Sequence, residues 1–121
     1  MSLPINLTGN NAVVDNVVVS TVNALTAHAG GGQGSATPLT AAINRVTTVA
    51  TAADSVVLPA SSAGLSLTVI NAAAANSMNV FPASGEAINA LSANTAFAIA
   101  AGKAVEFYCT NSGQWHTILS A

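Results

Sequence analysis

Charge is what this sequence has least of. Only Asp15, Arg45, Asp54, Glu86, Lys103 and Glu106 carry it among 121 residues, 5% of the chain against roughly 25% in an average soluble domain. A lone subunit with so few charges has little protection against association, so part of its surface is expected to lie against other subunits. Arg45 and Lys103 are the whole basic complement, and the net charge is -2. Binding to a phosphate backbone rests on several Lys or Arg contacts, which argues against nucleic acid as a direct partner. Long hydrophobic runs are also missing. Apolar types make up 51% of the chain, yet Ser, Thr and Asn interrupt them far short of the roughly 20 residues of a spanning helix. Aromatic residues, at 4%, are too few for the girdles of an outer-membrane barrel, so no membrane partner is expected. The single cysteine, Cys109, excludes an intramolecular disulfide and any multi-cysteine metal site. Met1 to Leu7 have neither the basic nor the apolar region of a secretory signal, and the chain is expected to fold where it is made.

What is there is a succession of short apolar runs cut by Pro, Gly and Asn. Val56–Leu58, Leu65–Ile70, Met78–Phe81, Ala96–Ile99, Ala104–Cys109 and Trp115–Leu119 each read as one strand, separated by residues that turn at low steric cost. Short strands at this spacing predict an all-β fold, a small antiparallel β-sandwich or barrel with an extended N-terminal arm. Residues 1–35 form the arm and a Gly-rich loop, and residues 36–121 the β domain. Residues 12–27 alternate between helical spacing (Val14, Val18, Val22, Leu25) and β-branched composition; the Val17–Val19 run tips them toward strand. Leu39–Thr51 reads as a further strand. Val57-Leu58-Pro59-Ala60-Ser61 and Val80-Phe81-Pro82-Ala83-Ser84 are near copies, each with a proline that ends a strand or sits on an edge. Two copies fall short of the three that a solenoid requires. Ala72–Ala75, between Asn71 and Asn76, is too short for a helix and reads as a hairpin connection. Trp115 and Phe107 are the largest candidates for burial, in the core or in a subunit contact.

No catalytic site stands out. Gly30 to Gly34 lacks the Lys-Ser/Thr ending of a phosphate loop and reads as a flexible connection. His28 and His116 are far apart with no carboxylate nearby, and Cys109 with His116 reads as a buried strand residue and an unrelated imidazole rather than nucleophile and base. The four carboxylates show no catalytic spacing: Glu86 is expected to be solvated in a turn, and Glu106 to face outward on its strand near Lys103. Neither enzyme chemistry nor a cofactor is expected.

The stretch from Ala41-Ala42-Ile43-Asn44-Arg45-Val46-Thr47-Thr48-Val49-Ala50-Thr51 through Asp54-Ser55-Val56-Val57-Leu58-Pro59, Val69-Ile70-Asn71, Asn79-Val80-Phe81-Pro82-Ala83-Ser84-Gly85, Ile88-Asn89 and Gly113-Gln114-Trp115-His116 resembles small virion structural proteins of tailed bacteriophages. The group includes capsid-decorating (cement) proteins and other head or tail appendages. The resemblance spans residues 39–119 and leaves the N-terminal segment uncovered. It implies a β-rich homotrimer that is made in the host cytoplasm and located on the capsid surface of the virion. There it would bind the major capsid protein at the outside of the assembled head and clamp neighbouring capsomers. Partner contacts are expected in segments able to order on a shell: Pro4, Ile5, Asn6, Leu7, Asn10 and Asn11 of the arm, and Gly31, Gly32 and Gln33 of the loop. The alternative is a head- or tail-fibre module binding a host surface glycan through Trp115, Tyr108 and the Asn-rich turns.

Overall fold

The computed structural model describes residues 18–30 and 32–120. Ten strands run in chain order: β1 (Thr21–Thr26), β2 (Thr37–Pro38), β3 (Ile43–Thr48), β4 (Ser55–Val57), β5 (Ser66–Asn71), β6 (Met78–Phe81), β7 (Ala87–Ile88), β8 (Phe97–Ile99), β9 (Ala104–Asn111) and β10 (Gln114–Leu119). A 3-10 turn at Gln33–Ser35 is the only helical element among the described residues. The all-β class is as the sequence predicts, and eight of the strands fall close to predicted runs, while β2 and β7 match none. Of residues 1–35, predicted as arm and Gly-rich loop, residues 1–17 and 31 lie outside the described residues, and the rest includes β1 and the 3-10 turn.

The order of the strands departs from an antiparallel sandwich or barrel. From β1 to β9 successive strands alternate between two sheets, a six-stranded one ordered β1-β3-β5-β9-β10-β7 and a four-stranded one ordered β2-β4-β6-β8. Within the first, β1, β3 and β5 run parallel, and within the second β2, β4 and β6 do the same. The chain therefore winds, each turn laying one strand on each sheet, and the winding suggests a β-solenoid. The other end is closed differently: β8 pairs antiparallel with β6, and β9 antiparallel with β5 and β10.

The connections explain the winding. A two-residue loop folds a strand back on its neighbour, and only Ser112 and Gly113 separate β9 from β10, with Gly113 at φ +91°. Residues 49–54, 58–65 and 72–77 are longer, and each carries the chain across to the opposite sheet. Positive φ at Ala53 (74°), Gly64 (88°) and Asn76 (78°) turns these arches, a conformation that Gly and Asn adopt at lowest cost. Ala72–Ala75 thus belongs to an arch between sheets and not to a hairpin.

The near copies lie on adjacent strands but one residue out of step, Val56 and not Val57 standing opposite Val80, and Val57 opposite Phe81. A third layer lies beneath them, Thr37 opposite Val56 and Pro38 opposite Val57. The sequence hides it because Thr37-Pro38-Leu39 does not repeat the pattern, Pro38 standing opposite Val57 and not Pro59. β1, on the N-terminal side of residue 35, pairs with β3, so the six-stranded sheet runs across that point.

Side chains alternate along each strand, one set between the sheets and one outside. Val46, Val69, Val105, Phe107 and Trp115 from the larger sheet meet Val56, Met78, Val80 and Ile99 from the smaller, all of them fully buried. Phe107 lies edge-on to Trp115 at 6.4 Å and to Phe97 at 6.0 Å. The two anchors named from sequence therefore serve the core and not a subunit contact.

Candidate interaction surface

The outer face of the six-stranded sheet is built by alternation. Ile43, Arg45 and Thr47 of β3, Ser66, Thr68 and Ile70 of β5, and Glu106 and Tyr108 of β9 are the residues left over when Asn44, Val46, Leu67, Val69, Val105, Phe107 and Cys109 turn inward. Register sets them in rows: Ile43 stands opposite Thr68 and Thr68 opposite Glu106, while Arg45 stands opposite Ile70. On β10, His116 follows Tyr108 and Ile118 follows Glu106. The face is hydroxyl-rich and apolar at its centre, and Ile118 is 59% exposed. Arg45 donates from Nη1 to the Asn23 carbonyl at 3.1 Å. The Glu106 carboxylate, as acceptor and as negative charge, with some desolvation, raises the Tyr108 phenol above its usual pKa.

At the rim where β3 and β5 begin, two shallow grooves adjoin, of about 370 and 230 Å³. Leu39, Pro59 and Leu65 line the first, and Val19, Ile43, Glu106 and Tyr108 the second, with Ala42, Ser66 and Leu67 shared. Val18 projects beside them, 91% exposed. An isolated exposed valine is ordinary; Ile118, also exposed, stands opposite Glu106 on the outer face, whereas Leu119 stands opposite Val105 on the other side of the sheet.

The residues predicted to touch partners fare differently. Pro4, Ile5, Asn6, Leu7, Asn10, Asn11 and Gly31 lie outside the described residues. Gly32 is exposed and its carbonyl accepts from Ser35 at 3.1 Å, opening the 3-10 turn. Gln33 is engaged internally: its Nε2 donates to the Pro82 carbonyl at 2.7 Å and to Asn94 Oδ1 at 3.0 Å. Asn94 Oδ1 also accepts from the Gly85 amide at 2.7 Å. Gln33 therefore rivets the Gly-rich loop to the β6–β7 connection, a role for which a glutamine among glycines gives no sequence signal.

The other candidates resolve by geometry. Trp115 is fully buried, so no sugar ring reaches it, and turn asparagines spend their amides on internal bonds. Asn76 donates to Val49 and Ala50 carbonyls, and Asn89 pairs with Thr117 through both side-chain atoms. Cys109 points inward opposite Trp115 while His116 points outward, so the thiol and the imidazole lie on opposite sides of the sheet. Among the described residues, no group of three or more His, Cys, Asp and Glu is placed to hold a metal. Asp54 caps a turn, its carboxylate accepting from Thr51 at 3.0 Å and Gly30 at 3.3 Å. Glu86, expected in solvent, is half-buried: its carboxylate accepts from the Ser61 amide and from Trp115 Nε1 at 3.3 Å. The cause is the core itself, because a buried indole N–H demands an acceptor.

Burial pushes the Cys109 thiol up, with the Glu86 charge adding to it, against a smaller opposing pull from Ser62 and Ser61. Thiolate is the reactive form. Iodoacetamide at pH 8 is therefore expected to alkylate the folded protein at least ~10-fold more slowly than the urea-unfolded chain. Equal rates, read by intact mass, would show the thiol to be open.

The chain matches no protein-family model, no curated protein and no solved structure.

Proposed function

We propose that this chain decorates the capsid of a tailed bacteriophage, binding the outside of the assembled head as a homotrimer and stabilising capsomer contacts. The observation that carries the reading is the outer face of the six-stranded sheet, where Ile43, Ile70, Thr68 and Tyr108 lie between only two charges, Arg45 and Glu106. Unpaired charges are costly at the centre of an interface, whereas hydroxyls and β-branched side chains pack there with little loss. The motif resemblance over residues 39–119 supplies the kind of partner. Catalysis has no support: Cys109 and His116 are separated by the sheet, and Glu86 and Asp54 are occupied as acceptors.

The mechanism is mass action on a lattice. A protein that binds the assembled shell and not its free subunits adds its binding free energy to the shell, about 2.7 kcal/mol per site at a hundredfold excess over Kd. A trimer touching several capsomers gains further from effective concentration.

Mixing the protein with expanded capsids that lack it, pelleting them and scanning the shells by calorimetry tests the reading. Saturable co-sedimentation with a raised shell melting temperature is the expected result. Binding without a shift leaves decoration and removes stabilisation; no binding to any capsid state sinks the proposal.

A further inference from the structure

We infer that the outer face of the six-stranded sheet is the contact between copies of this chain, with Arg45 of one copy set against Glu106 of the next. This rests on the self-association in the proposed function and not on its capsid component. Arg45 on β3 and Glu106 on β9 stand on opposite sides of β5, beside Ile70 and Thr68 respectively. Strands lie roughly 4.8 Å apart and two residues along a strand add roughly 6.6 Å, so about 12 Å of sheet separates the two charges. Arg45 is also turned away from Glu106, toward β1, where it donates to the Asn23 carbonyl. Both residues are exposed.

A face with one positive half and one negative half is complementary to itself. Setting the β3 side of one copy against the β9 side of the next brings Arg45 onto Glu106 and keeps like charges apart. Between the charges lies the half-buried Ile70 of β5, beside Arg45 on its own strand the half-buried Ile43, and at the β10 margin the exposed Ile118. These supply the apolar area such a contact covers. Burying either charge without its partner is strongly unfavourable, so the pair specifies the register of the contact.

Charge reversal tests the contact without disturbing the core, because neither side chain enters it. Wild type, Arg45→Glu, Glu106→Arg and the double reversal are compared by sedimentation velocity across a concentration series, with urea midpoints verifying that each is folded. The wild type is expected to self-associate. Each single reversal should weaken association at least ~10-fold, and the double reversal should restore it to near the wild-type value, since the opposed pair is then rebuilt with its signs exchanged. A monomeric wild type, single reversals without effect, or a double reversal no better than the singles would overturn the inference. Capsid co-sedimentation is read separately: an association indifferent to charge removes this contact and leaves shell binding standing, and failed co-sedimentation does the reverse.

Discussion

Trp115→Ala is expected to remove about 3–5 kcal/mol of unfolding free energy, the largest loss from any single substitution in this chain. The indole is 0% exposed and is the largest of the fully buried side chains. It stacks edge-on to Phe107 at an interplanar angle of 88°, and Phe107 in turn meets Phe97. Truncation removes apolar contact, the aromatic pair and the donor that Glu86 accepts. A domain of this size has roughly 5–15 kcal/mol in total, so the variant should be partly unfolded near room temperature at the low end of that range. Far-UV circular dichroism against urea is the suitable reading, because Trp115 is the only tryptophan. Trp115→Phe keeps a ring against Phe107 and loses the N–H; a cost of about 1–2 kcal/mol is expected there. If Trp115→Ala costs under about 1 kcal/mol, the edge-on cluster is not what holds β9 and β10 over the coil.

What the sequence shows of this fold is what depends on neighbours along the chain. Alternation of apolar and polar residues marks β5, β9 and β10, and Ser112-Gly113 marks the one hairpin between them. The direction in which one strand meets another is set by contacts far apart in sequence. Thr37 finds Val56, and Val56 finds Val80, and no local pattern distinguishes this parallel stacking from a meander. The repeated Val-x-Pro-Ala-Ser segments were a sign of the winding, but the third layer at Thr37–Pro38 does not repeat them.

The interaction surface is legible to the same extent. Placing Glu106 outward follows from Val105 and Phe107 on either side of it, and the scarcity of charge already points to contact between subunits. That Arg45 and Glu106 share one face on opposite sides of β5 requires the register of three strands. Gln33 shows the opposite failure. Its neighbours read as a loop open to partners, while its amide bonds Pro82 and Asn94, 49 and 61 residues away in sequence.

Asn71→Leu is expected to cost about 3 kcal/mol although leucine is close to asparagine in size and far more apolar. Asn71 is 0% exposed and sits where β5 leaves its sheet for the arch toward β6. Its Nδ2 donates to the Ile99 carbonyl at 2.9 Å and the Asn76 carbonyl at 3.1 Å, and its Oδ1 accepts from the Ala73 amide at 3.2 Å. These bonds tie the arch to β8 on the opposite sheet, and each group left unpaired in a buried place costs about 1–3 kcal/mol. Asn44, equally buried, bonds Ala41 and Thr68 near the start of β3, where solvent is closer, so Asn44→Leu should cost about half as much. Asn71→Asp separates donation from size. A carboxylate in that place faces two carbonyl oxygens, while its protonated form still donates to one of them. Its folded pKa is therefore raised above the unfolded value near 4. The variant is then most stable in acid and loses stability as pH rises above about 4 toward the folded-state value. Urea midpoints between pH 3 and 7 read this directly. A flat profile, or an Asn71→Leu variant as stable as wild type, would mean that packing between the sheets alone fixes the arches and the asparagine amides follow them.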